Sequence, residues 1–182
     1  MREHFEVINH SEAIRFVEEQ VRTQNRLAVR QILHLHSLIL KNIRDEEAGR
    51  FRHENVAISG ASTTPPDYRH LTQEMQKLIV WHESVLPTLH PVVRTAELHT
   101  HFVQIHPFID GNGRTGRLLL NLELMKAGYP PAVIRKEDRV RYYNALDEAC
   151  MSDCYDGITL LIAEALQRSL DDYLKLAATA CQ

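Results

Sequence analysis

Nothing in this chain approaches the roughly 20 consecutive apolar residues that cross a bilayer, and its opening Met1-Arg2-Glu3-His4 is too charged to begin a secretory signal. Cysteine is scarce: there are three, so any disulfide scheme leaves one unpaired. Cys150 and Cys154 would lie one helical turn apart, and neither forms a Cys-x-x-Cys motif. Reduced thiols and a cytoplasmic location are therefore the expectation. The net charge of −3 gives no blanket attraction to nucleic acid or to a membrane, so any basic site must be local. There is no internal repeat, low-complexity tract or linker. A chain of 182 residues is expected to form one domain, residues 1–182, burying roughly two thirds of its unfolded surface.

What the chain has is helical periodicity. Residues 5–23 carry apolar positions at mainly helical spacing. From Arg26 to Ile43, Leu27, Ile32, Leu35, Leu38, Ile39 and Ile43 make one face, and Ala48-Gly49 reads as the helix stop. His34 and His36 fall on different faces and read as core-edge or surface residues. Arg50 to Gly60 is β-prone and Ala61 to Asp67 a loop, together a surface hairpin by pattern. Leu71–Leu86 is a helix stopped by Pro87, and Pro91 opens the next, Val92–Ile105, at a favourable first position. A helix from about Asn112 to Lys126 is apolar on most sides and so expected to be central. Ala127-Gly128-Tyr129-Pro130-Pro131 ends it. Arg135–Met151 and Gly157–Ala178 complete an all-α pattern.

Reactive and phosphate-binding residue types concentrate in residues 105–117, Ile-His-Pro-Phe-Ile-Asp-Gly-Asn-Gly-Arg-Thr-Gly-Arg. A base (His106) and a carboxylate (Asp110) precede a loop of small residues, two guanidiniums and an apolar helix. A helix start offers unpaired N–H groups and the positive end of the macrodipole, which suits an anion. Arg114 and Arg117, three apart, share a face of the first turns. These residue types describe a phosphate clamp beside a proton acceptor.

This stretch resembles the Fic family signature, His-x-Phe-x-Asp/Glu-Gly-Asn-Gly-Arg-x-x-Arg, and matches every defined position. Leu118–Pro131, Arg135-Lys136, Tyr142-Tyr143 and Gly49–Pro66 are similar to Fic-domain sequence too. The resemblance implies a bundle of about six to eight helices with a short β-hairpin flap (residues 49–66) beside the catalytic loop (105–117). It also implies protein adenylyltransfer: AMP moves from ATP, with Mg2+, onto a Ser, Thr or Tyr hydroxyl, releasing pyrophosphate.

By that resemblance His106 is the general base, suited by an ordinary pKa of about 6.5. Phe108 plugs the core and fixes the loop. Asp110 holds magnesium with the nucleotide phosphates as further ligands, although its residue type also suits a helix cap. Gly111, Asn112 and Gly113 let the backbone approach phosphate, with Asn112 adding an amide donor. Arg114 meets the inner phosphates and Arg117 the outer ones. A Lys in place of Gly113 would instead mark the family variant that moves a terminal phosphate. Tyr142 and Tyr143 lie near the base, but Cys150 stands where related sequences often carry Asn. The flap edge, Val56, Ala57, Ile58 and Ser59, docks an extended target segment by strand addition.

Rival readings are weaker. Gly111-x-Gly113-x-x-Gly116 mimics a dinucleotide motif, yet no buried strand precedes it. A Walker loop lacks its Gly-Lys-Ser/Thr, and a metal site of His99, His101, His106 and Asp110 leaves Asn-Gly-Arg unexplained. The serious alternatives stay inside the family: a regulatory module that binds nucleotide without transfer, an inhibited or toxin-type protein, or an enzyme that also removes AMP. The inhibitory pattern Ser/Thr-x-x-x-Glu-Gly/Asn is not found. Constitutive activity is expected, with an inhibitory helix either removed or supplied by a separate protein such as an antitoxin. Expected partners are thus a target protein and that inhibitor, with a homodimer also admitted, and neither nucleic acid nor membrane.

Overall fold

The computed structural model describes residues 2–180; Met1, Cys181 and Gln182 lie outside them. Among the described residues there are seven α-helices: α1 (Arg2–Thr23), α2 (Val29–Leu40), α3 (Leu71–Val85), α4 (Pro91–Ile105), α5 (Asn112–Lys126), α6 (Arg139–Ser152) and α7 (Asp156–Ala180). Short 3-10 turns at Tyr68–His70 and Lys136–Asp138 lead into α3 and α6. None of these helices is long and apolar enough to cross a membrane.

The molecule is arranged around α5. Its Leu118, Leu119 and Leu122 enter one core with residues of α1, α2, α3 and the second half of α4. Its Leu120 and Leu124 enter a second core, with Val92 and Ala96 of α4 and the inner faces of α6 and α7. Each such leucine, all but removed from water, contributes roughly 2 kcal/mol of transfer free energy. A helix apolar on most sides is stable only with neighbours on most sides, and this one has them.

Local chemistry sets the boundaries near the site. Pro91 occupies the first turn of α4, where its missing N–H costs nothing, and His90 Nδ1 accepts from the Val92 amide at 3.3 Å. At the other end His106 takes a left-handed conformation, φ 47°, its amide donating to the Phe102 carbonyl, and Pro107 forbids continuation. The far end of α5 closes by the Gly128 amide donating to Met125 O and the Tyr129 amide to Leu124 O, which requires the positive φ of 87° at Gly128.

Three expectations are corrected. The helix expected to run to Ala48-Gly49 stops at Leu40, and turns fill the interval, with Asn42 left-handed and its amide donating to Asp45 Oδ1. An Asx-type bond of this kind competes directly with helix continuation. The hairpin over residues 49–66 has no strand among the described residues. Its tip is a turn, the Ala61 amide donating to Ile58 O with Gly60 at φ 80°, but the returning arm holds Pro65 and Pro66, which have no N–H for a ladder. Finally, His36 is fully buried rather than at an edge; His34 is exposed as expected.

Candidate active site

The loop from His106 to Gly111 is held from inside. Phe108 is fully buried, its ring stacked flat on His36 at 3.6 Å between centroids. Asn112 clamps the same residue: its Oδ1 accepts from the Phe108 amide at 3.0 Å and its Nδ2 donates to the Phe108 carbonyl at 2.7 Å. His36 ties the loop to α2. Its Nδ1 accepts from the Gly49 amide, so Nε2–H donates to the Asp110 carbonyl at 2.9 Å. Burial pushes this imidazole down to about 4, so it stays neutral at ordinary pH. Gly111 opens α5 at φ 82°, and a Cβ there would stand 3.2 Å from the His36 ring. Only glycine meets both conditions without strain.

Arg52 fastens the residue 50–67 segment to this loop. It is 2% exposed, and its backbone amide donates to Pro107 O at 2.9 Å. Its guanidinium donates to the carbonyls of His106, Glu54 and Pro66. One side chain therefore joins both ends of the segment to the backbone of the candidate base. At its tip, the Ser62 amide and hydroxyl both donate to the Asp147 carboxylate of α6 at 2.7 Å.

Between the segment and α5 lies a cavity of about 450 Å³. His106, Gly113 and Arg117 form one wall, Ile58–Ala61 another, and Tyr142 and Tyr143 a third. His106 Nδ1 is buried without a hydrogen-bond partner, which leaves Nε2 for the cavity that the ring lines. Burial, and then the charge of Arg52, holds the ring below its ordinary 6.5. Tyr142 is almost wholly buried while Tyr143 is half exposed, with the Arg139 guanidinium 5.6 Å from its ring centre.

Asp110 and Arg114 sit beside this cavity in a ring of charges with α1. Arg114 reaches Asp110 Oδ1 at 3.3 Å and Glu6 Oε1 at 3.1 Å, and Arg2 reaches Asp110 Oδ2 at 2.8 Å and Glu6 Oε1 at 3.2 Å. Burial would raise the Asp110 pKa, but the Gly111 amide, Arg114 and Arg2 together hold it low, so it is ionised. No group of three or more His, Cys, Asp or Glu side chains that could hold a metal occurs among the described residues. A single ionised carboxylate at a helix start fits magnesium arriving with a nucleotide, since Mg2+ commonly takes one or two carboxylates plus phosphates.

The structure thus brings His106, Asn112, Gly113, Arg117, Tyr142, Tyr143, Ile58 and Ser59 to one cavity. It places Phe108 in the core, and Val56 and Ala57 away from the cavity wall. The Asn112 side chain differs from expectation: its amide is spent on Phe108, so its place is to shape the loop. The roles of Arg52, His36 and Asp147 escape the sequence reading. The spacing of Arg139, Tyr143 and Asp147 along one face of α6 could have found Asp147. No local pattern reveals Arg52, whose tie to the His106 carbonyl spans 54 residues of chain.

A family model described as "Fic/DOC family" matches residues 26–124. The protein adenylyltransferase Fic of Drosophila erecta is 38% identical over 173 residues, covering 94% of this chain but 34% of that protein. The chain therefore spans about a third of the length of the curated relatives it matches. Fic-1 from C. elegans superposes with a TM-score of 0.88 at 33% identity, covering 99% of this chain and 53% of that one. A Fic domain containing signaling protein from Bacteroides thetaiotaomicron gives 0.81 at 26% identity, covering 91% and 69%. With the signature at the start of its central helix and the family model spanning more than half of its length, the chain belongs to the Fic/DOC family.

Proposed function

We propose that this chain transfers AMP from ATP to a hydroxyl side chain of a target protein, releasing pyrophosphate. The observation that carries the reading is the sharing of one cavity by the free side of the His106 ring, the amide-bearing start of α5 and the guanidinium of Arg117. The similarity to a protein adenylyltransferase supports it. His106 Nε2 accepts the proton of the target hydroxyl as its oxygen bonds the α-phosphorus and the bond to pyrophosphate breaks. The first amides of α5 and Arg114 receive the inner phosphates, while Arg117 holds the outer ones and so decides which phosphorus faces the imidazole. Magnesium, when bound, would be held through Asp110 and would supply charge neutralisation of the phosphates. Tyr142 and Tyr143 flank the base. Among the described residues the one hydrogen bond of the Val56–Ser59 backbone is Ile58 O accepting from Ala61 N, which leaves the rest of it to pair with an extended target segment. A second copy of the chain and a separate inhibitory protein remain further proposed partners.

A silent nucleotide-binding module is the second reading, favoured by the charge ring in which Arg2 and Glu6 occupy Asp110 and Arg114. Incubation with ATP labelled at the α-phosphate, magnesium and a cell lysate separates the two. Transfer predicts α-label on a protein band, none from γ-labelled ATP, and none from His106→Ala. Nucleotide binding with no label on any protein would sink the transferase reading, and γ-label alone would replace it with phosphotransfer.

A further inference from the structure

The segment over the cavity is fastened at more than its roots. Arg52 donates to the carbonyls of Glu54 and Pro66, and residues 56–65 run between those two anchors. Among the described residues, only two hydrogen bonds tie residues 56–65 to the rest of the protein, and both end on Asp147. The Ser62 amide donates to Asp147 Oδ1 and the Ser62 hydroxyl to Oδ2, each at 2.7 Å. Two donors of one residue on the two oxygens of one carboxylate fix its orientation as well as its distance. These bonds hold the carboxyl below the usual aspartate range, so it is ionised and accepts from both.

Asp147 belongs to α6, which walls the cavity on a different side from Gly113 and Arg117 of α5. The segment supplies Ile58–Ala61 and Thr63 to that cavity. It is therefore a bridge, with its roots beside His106 and its far abutment on α6. Val56–Ser59, the edge offered to a target, lies within the span. An extended target paired there presents its hydroxyl to His106 only as accurately as the edge itself is held. A misplacement of about 1 Å can cost about a hundredfold in rate.

We propose that Ser62 and Asp147 are positioning residues that pin the Val56–Ser59 edge over the cavity, so that their contact governs capture of the protein acceptor and not nucleotide affinity. This rests on the transfer reading of the site. Ser62 is exposed and lies outside the cavity wall, so its replacement leaves the fold and the phosphate contacts in place. The test uses α-labelled ATP and a fractionated cell lysate that supplies the acceptor band, each varied against a saturating amount of the other. Loss of one hydrogen bond to a charged group predicts that Ser62→Ala raises the half-saturating acceptor concentration about tenfold. The half-saturating ATP concentration should not move, and Ser62→Thr, which keeps both donors, should behave as the wild type. Asp147→Ala should raise the acceptor value further, and Ser62→Ala on top of it should add nothing. An acceptor value unchanged in Ser62→Ala, or an ATP value that shifts as much, overturns the proposal. A wild-type chain that binds ATP but labels no protein ends the transfer reading, and this role with it. Proton–nitrogen NMR checks the contact itself at neutral pH. The Ser62 amide proton should move upfield in Asp147→Ala, and an unmoved resonance would remove the bond and end the idea.

Discussion

At the scale of single residues, the site works by spending polar groups on one another until few are left over. His36, Asn112 and Arg52 commit their hydrogen bonds to holding the His106–Gly111 loop, and His106 emerges with its Nδ1 buried and without a partner. Its depressed pKa has a kinetic consequence. A base must be neutral, and burial together with Arg52 keeps this one neutral further into acid than a free imidazole. The acid limb of the kcat/KM profile should therefore fall below pH 6.5, as a pH series with α-labelled ATP would register; a limb above 6.5 would exclude His106 as the titrating base. His106 itself was legible in the sequence, because its neighbours form a long contiguous motif. Its supports were not, since Arg52 and His36 act on backbone atoms more than fifty residues away in the chain.

At the scale of elements, α4 and α5 could be read nearly to the residue because proline and glycine punctuate them. The end of α2 could not, because a side chain–backbone bond at Asn42 outcompeted an apolar pattern that continues past it. Nor could the form of the 50–67 segment, where β-prone residues meet an arm that cannot donate. Residues 5–23 read only as mainly helical spacing, yet the first two turns of α1 carry Arg2 and Glu6 to the signature. These pairs are largely exposed, so water and salt screen each one and its contribution is small. Arg2→Gln should then lower the half-saturating magnesium concentration by up to about fivefold, because one competitor for Asp110 is gone. Titration with Mn2+ in the presence of nucleotide, followed by electron paramagnetic resonance, reads this directly. An unchanged midpoint would show that the pair does not compete with the metal.

At the scale of the molecule, α5 contributes to both cores, so neither can melt while the other stands. Heating should give one cooperative transition by both far-UV circular dichroism and tryptophan fluorescence, and two separate midpoints would refute the shared pillar. Acid should weaken it in a defined window. His36 and His99 are neutral in the folded chain down to about 4, but an unfolded histidine takes its proton near 6.5. Their contribution is intact above about pH 6.5 and is lost as pH falls towards 4, which should appear as a falling urea midpoint across that interval. The same architecture separates what is fixed from what is free. Because Arg52 rivets both roots of the overlying segment to the backbone of His106, its outer turn works like an interchangeable tool head on a permanent handle. Its sequence can change there while the His106 imidazole keeps its place.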